Sequence, residues 1–186
     1  MMFRNLLVSL LLAVTITPIV KATDEDIQKL VSAGVQAYIA KDFAKAIESF
    51  HQALALCESE ADRACSALCL TWLGLCYKEL KDCRSAIEYF SQALKIYESL
   101  RDLKMQAWSL LSLGKCSLEI KSYTEAIQYF QQASNLFASL GDPLGLSMSL
   151  IGLGVAHKYL KELDEAIGFY EKALELRKKG LGWRRI

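Results

Sequence analysis

LGLCYKELKDCRSAIEYF, residues 73–90, holds a glycine, an alanine and a phenylalanine whose spacing decides the fold. Ala86 stands twelve residues after Gly74, Phe90 sixteen after it and Ala93 nineteen after it. The same intervals return at Gly34, Ala46, Phe50 and Ala53, at Gly114, Ala126, Phe130 and Ala133, and at Gly154, Ala166, Tyr170 and Ala173. The glycines are 40 residues apart without a break. A fixed period of this length marks a repeat array in which each copy is one supersecondary unit.

Within a copy the apolar spacing is helical and does not alternate. Leu110, Leu113, Gly114 and Ser117 share one face; Ala126, Ile127, Phe130, Ala133 and Leu136 share a face of the next helix. Lys41-Asp42, Lys81-Asp82, Lys121-Ser122 and Lys161-Glu162 supply polar turns inside the copies. Residues 59–62, 99–102 and 139–142 do so between copies. Asp62, Asp102 and Asp142 are natural N-caps, and Pro143 fits a first helical position, where a missing N–H is harmless. Each unit is therefore expected to be two antiparallel helices of about 16–18 residues, ~25 Å long. The small columns let the paired helices approach, and the aromatic fills the wedge between them. One hairpin cannot cover its own apolar face, so neighbours must stack.

These residues resemble the tetratricopeptide repeat pattern: Leu70, Leu73, Gly74 and Tyr77 in a first helix, then Ala86, Phe90 and Ala93 in a second. The Tyr column departs in the other copies, which carry Ala37, Ser117 and His157. The period of 40 is similar to the branch found in kinesin light chains and many exported bacterial repeat proteins. Residues 58, 98, 138 and 178 lack the proline that usually ends the second helix, which implies longer helices. The resemblance implies an all-α fold, a right-handed α-solenoid of four helix-turn-helix repeats at residues 27–60, 67–100, 107–140 and 147–180, within a unit spanning 23–186. It also implies a protein-binding scaffold whose first helices line a concave groove. Carried onto this sequence, the groove residues are Tyr38, Thr71, Lys78, Trp108, Leu111, Lys115, Met148, Ile151 and Lys158. This is an apolar strip carrying lysines, and aromatic anchors dominate interfaces. The asparagines with which the forty-residue branch bonds a peptide backbone are missing: the columns hold Ser32, Trp72, Ser112 and Gly152, and Val35, Leu75, Lys115 and Val155. Neither that recognition code nor the family's clamp for a C-terminal carboxylate carries over.

The 186 residues are 53% apolar and 23% charged, which suits a packed globular chain and not a disordered one. A net charge of +1 provides no basic field to hold nucleic acid. Arg4, an apolar run over residues 6–20 and Val20-Lys21-Ala22 read as a removable export signal over residues 1–22. The run is shorter than the ~20 residues of a spanning helix, so membrane anchoring by an uncleaved signal is the lesser alternative. The mature chain is expected to be periplasmic or secreted and off the membrane.

Export gives weight to the six cysteines. Cys76, Cys83 and Cys116 share columns with small or apolar residues and read as core, since a free cysteine behaves as a small hydrophobe. Cys57, Cys65 and Cys69 cluster at the first junction between copies, where a Cys57–Cys65 bridge fits across the turn. A metal site there is disfavoured, because three thiolates lack a nearby fourth ligand and the histidines are remote. His51 and His157 are paired by no motif with a carboxylate or nucleophile, and no phosphate-cradling loop occurs. Nothing here supports an enzyme, a metal or a cofactor. After Leu176 only residues 177–186 are left to cover the last hairpin, whose Ile167, Tyr170 and Leu174 form an apolar stripe. Self-association into a homodimer through this end, or descent from a larger exported repeat protein, stands beside groove binding.

Overall fold

The computed structural model describes residues 24–180, so the expected leader and the final six residues lie outside the described residues. Among the described residues the chain is all-α: α1 (Asp24–Ile39), α2 (Phe43–Ser59), α3 (Arg63–Glu79), α4 (Cys83–Leu100), α5 (Leu103–Glu119), α6 (Tyr123–Ser139), α7 (Pro143–Tyr159) and α8 (Leu163–Gly180). Each helix packs on the next, which makes a solenoid of four hairpins. The hairpins begin three or four residues before the expected repeat bounds, because each first helix starts directly at its cap.

One joint is used throughout, inside copies and between them. A residue in the left-handed region closes each helix: Lys41, Ala61, Lys81, Arg101, Lys121, Gly141 and Lys161, with φ between 56° and 66°. The next residue opens the following helix, and its N–H also reaches back five residues, as from Asp82 to the Tyr77 carbonyl at 2.9 Å. Gly141 alone takes this conformation without strain; a side chain there costs ~1 kcal/mol or more. The expected aspartate caps form: Asp62 accepts from the Cys65 N–H at 2.9 Å, Asp102 from Met105 at 3.0 Å, and Asp142 from Leu144 and Gly145 at 3.0 and 2.9 Å. Asp42 and Asp82 cap the second helices in the same way, whereas Ser122 makes no side-chain cap bond. Pro143 takes the first helical position of α7.

The repeated columns meet as the spacing requires. A Cβ on Gly34, Gly74, Gly114 or Gly154 would stand 2.7 or 2.8 Å from the ring of Phe50, Phe90, Phe130 or Tyr170 respectively. Ala46, Ala86 and Ala126 are wholly buried beside those rings, and Ala53, Ala93 and Ala133 are wholly buried too, Ala53 with Cys57 and Cys69, Ala93 with Leu70 and Tyr97. Two further substitutions in the pattern have packing causes. Gly145 gives room to the ring of Phe137, and Gly152 to that of Phe130. Trp72, in the same column as Gly152, instead stacks on Phe50 with centroids 5.5 Å apart.

Candidate functional site

The first helices, α1, α3, α5 and α7, provide the face on which the groove residues were expected. Between α1 and α3 lies a cleft of about 440 Å³, with Ile27, Gln28 and Val31 on one side and Asp62, Cys65 and Leu68 on the other. Val31, three residues before Gly34, flanks its glycine on this face. Leu68 shares its column with Trp108 and Met148, both read as groove residues, and was passed over in its own copy. Its exposure, 38% for a leucine on this face, is visible only once the helix is built.

The expected groove residues divide into three groups. Tyr38 is half-buried, edge-on to Phe43 at 5.6 Å and to Trp72 at 5.3 Å. Trp108 is likewise edge-on to Phe137 at 5.1 Å. Thr71 donates to the Ala67 carbonyl at 2.8 Å and lies 3.2 Å from the Tyr97 hydroxyl. Met148 and Ile151 are half-buried, Met148 against the core of the third and fourth hairpins. These five both pack and present part of their surface. Leu111 is different: at 1% exposure it belongs to the core and touches no partner. The face turns inward there because Leu111 joins Leu110, Phe130 and Leu153 in one cluster.

The lysines form the third group. Lys158 is exposed in the last turn of α7. Lys78 keeps a quarter of its side chain exposed and sits 3.4 Å from Glu79. Lys115 is half-buried and has no ion-pair partner among the described residues. Burial, then the like charge of Lys78, holds its ammonium below the usual lysine pKa. A half-buried cation beside another cation is an unmet electrostatic demand on this face.

The cysteines divide as their columns suggest, with two additions. Cys57 and Cys65 are bridged, Cα to Cα 5.7 Å, which ties the end of α2 to the start of α3. Cys69, Cys76, Cys83 and Cys116 are free and buried. Burial pushes the Cys69 and Cys76 thiols up to about 11 and that of Cys116 up to about 12. Reading columns within copies missed the contact between Cys83 and Cys116, which face each other across the second junction. Cys83 also donates to Glu119 at 3.3 Å. The signal that would have found this is the offset from the turn of one copy to the first helix of the next, an offset that also brings Tyr123 onto Tyr159 at 4.9 Å.

The histidines need a correction. His157 does meet a carboxylate: its Nδ1 lies 2.6 Å from Glu162 across the α7–α8 joint, and its ring stacks on Phe169 at 5.2 Å. His51 lies 3.4 Å from the Tyr89 hydroxyl. Both contacts join neighbouring helices, and neither brings a nucleophile to the ring. No helix among the described residues is long and apolar enough to cross a membrane.

Comparison with known proteins matches the tetratricopeptide repeat family at residues 27–99 and 105–179. No curated protein matches significantly. Among solved structures, BtubC (BKLC) from P. vanneervenii is similar with a TM-score of 0.80 and 19% identity, over 88% of this chain and 67% of that one. The apo form of RapI gives 0.81 and 18%, over 95% and 62%. A Rap protein complexed with Competence and Sporulation Factor gives 0.72 and 18%, over 83% and 44%. This chain thus spans less than two thirds of either Rap structure. At such identities the likeness is one of fold. With the family match covering most of its length, the chain belongs to the tetratricopeptide repeat family.

Proposed function

We propose that the chain is a non-enzymatic scaffold that binds a peptide or helix of another protein along the face of its first helices. The observation that carries this is Lys115, half-buried beside Lys78 without a counter-ion among the described residues. A core position would replace it by a neutral residue; a binding face retains it for an anionic group. Met148, Ile151 and the partly exposed edges of Tyr38 and Trp108, all on first helices, offer apolar contact elsewhere along that face. The ligand expected is therefore an acidic peptide with aliphatic or aromatic side chains. A Rap protein of similar fold is known in complex with Competence and Sporulation Factor, which makes ligand binding by this architecture a reasonable precedent. The leader over residues 1–22 would place this scaffold outside the cytoplasm.

Selection from a displayed peptide library, followed by fluorescence anisotropy, tests the reading. Selected peptides should carry acids, and replacing those acids by amides or Lys115 by Met should weaken binding tenfold or more, ~1.4 kcal/mol. Enrichment of sequences without acids, or binding indifferent to Lys115→Met and Lys78→Met, would refute it.

A second reading, self-association through α8, is favoured by the exposure of Leu163, Ile167 and Leu174, 59%, 54% and 54%. A self-complementary contact would close as a dimer. Light scattering on the chain and on an Ile167→Glu, Leu174→Glu variant decides it. A wild-type monomer would end this reading and leave the first intact.

A further inference from the structure

The bridged pair at the first junction has a third sulfur beside it. Cys69 lies one turn beyond Cys65 on α3, and the sulfurs of Cys57, Cys65 and Cys69 all lie within 4.8 Å of one another. Cys57 and Cys69 are wholly buried, while Cys65 is half-buried on the wall of the cleft between α1 and α3. A bridge needs only two of these sulfurs. The corresponding columns elsewhere, with Ser109 and Ser149 in place of Cys69, show that packing does not need the third.

Three sulfurs each ~2.3 Å from a common ion in their plane stand about 4 Å apart, so once reduced the bridged pair must part to that distance, with the Cys69 sulfur already within 4.8 Å of both. The donor set decides which ion. Zinc in a closed site takes four ligands. The carboxylate on the same cleft, Asp62, already accepts from the Cys65 N–H, and both histidines are engaged elsewhere, His51 with Tyr89 and His157 with Glu162. A soft cation satisfied by thiolates alone fits better. We propose that, once the bridge is reduced, Cys57, Cys65 and Cys69 form a trigonal thiolate site for a soft monovalent cation, Cu(I), entered through the cleft between α1 and α3.

Bridge and cation exclude each other. A dithiol reductant opens Cys57–Cys65 by giving two electrons and two protons, and closes into its own disulfide. Each sulfur that then binds the ion releases its proton to solvent. The oxidised chain keeps the hairpins tied and the site shut; the reduced chain offers a cation a seat at the mouth of the groove.

The full chain, reduced with dithiothreitol and desalted under nitrogen, is titrated with Cu(I) held by bicinchoninate, whose colour reports what the chelator retains. The reduced chain should remove one equivalent, and the oxidised chain none. Cys65→Ser and Cys69→Ser should each lose that equivalent, while Cys76→Ser and Cys116→Ser keep it. Cys65 is only half-buried, so its variant is the decisive one, with unchanged far-ultraviolet circular dichroism as the check on folding. The proposal is overturned if reduced wild type leaves the chelator complex intact, if folded Cys65→Ser still takes the ion, or if Cys116→Ser removes it too.

Discussion

The second hairpin, α3–α4, and the fourth, α7–α8, carry the same columns and meet different fates. Phe90 is wholly buried, and Ile87 and Leu94 beside it are half-covered by the hairpin that follows. Tyr170 is only half-buried, while Ile167 and Leu174, at the same positions as Ile87 and Leu94, are 54% exposed. The pattern specifies a unit; the neighbour supplies the burial. Sequence identity of a column therefore does not fix its energetic weight.

Substitutions at matched positions sharpen this contrast. Phe90→Ala should remove ~3–5 kcal/mol of stability by opening a cavity in a sealed core. Tyr170→Ala should cost well under half as much, in the same urea titration. Equal losses would mean that the last hairpin is covered after all. Gly74→Ala should cost about 1–3 kcal/mol, because its Cβ would meet the Phe90 ring at 2.8 Å and a ring held on all sides cannot yield. Gly168, on α8, has open space where a Cβ would go, so Gly168→Ala should gain about 0.5–1 kcal/mol through helix propensity. A loss at Gly168 would show that something packs on that face. Smaller still, Lys81→Gly should stabilise by a few tenths to ~1 kcal/mol by relieving the left-handed backbone at the joint within the second hairpin, and Lys161→Gly by as much within the fourth. That joint is local, so it should not sense the neighbour.

The solenoid was legible because its signal is redundant. Gly74 and Phe90 alone would be a weak motif, but the same pair stated four times, with alanines at fixed offsets, leaves one way to close two helices. The caps at Asp62, Asp102 and Asp142 were legible for the same local reason. The face of the first helices was read less well. Positions flanking a glycine say which helix a residue is on, not how deep it sits, and Leu111 went to the core while Leu68 stayed out. Depth depends on what the adjacent copy places opposite, as with Phe137 filling the space left by Gly145. The Cys83–Cys116 contact was hidden likewise, since it joins residues of different columns, whereas the grouping of Cys57, Cys65 and Cys69 at one junction was legible.

Lys115 ties the fold to the proposed function, because its depressed pKa means that the charged form is held against the preference of the fold. Below its folded pKa the lysine is charged in both the folded and unfolded states, and the penalty is fully present. As pH rises through the folded pKa toward the unfolded value of ~10.4 the penalty is relieved. The most direct measurement is thermal melting of Lys115→Met against wild type, at neutral pH and again near pH 10. The expected result is a variant that melts about 2 °C higher at neutral pH, as a gain below ~1 kcal/mol gives in a chain of this size, with the gap shrinking near pH 10. A variant that melts lower than wild type at neutral pH would make Lys115 a structural residue, and would contradict its assignment to a binding face.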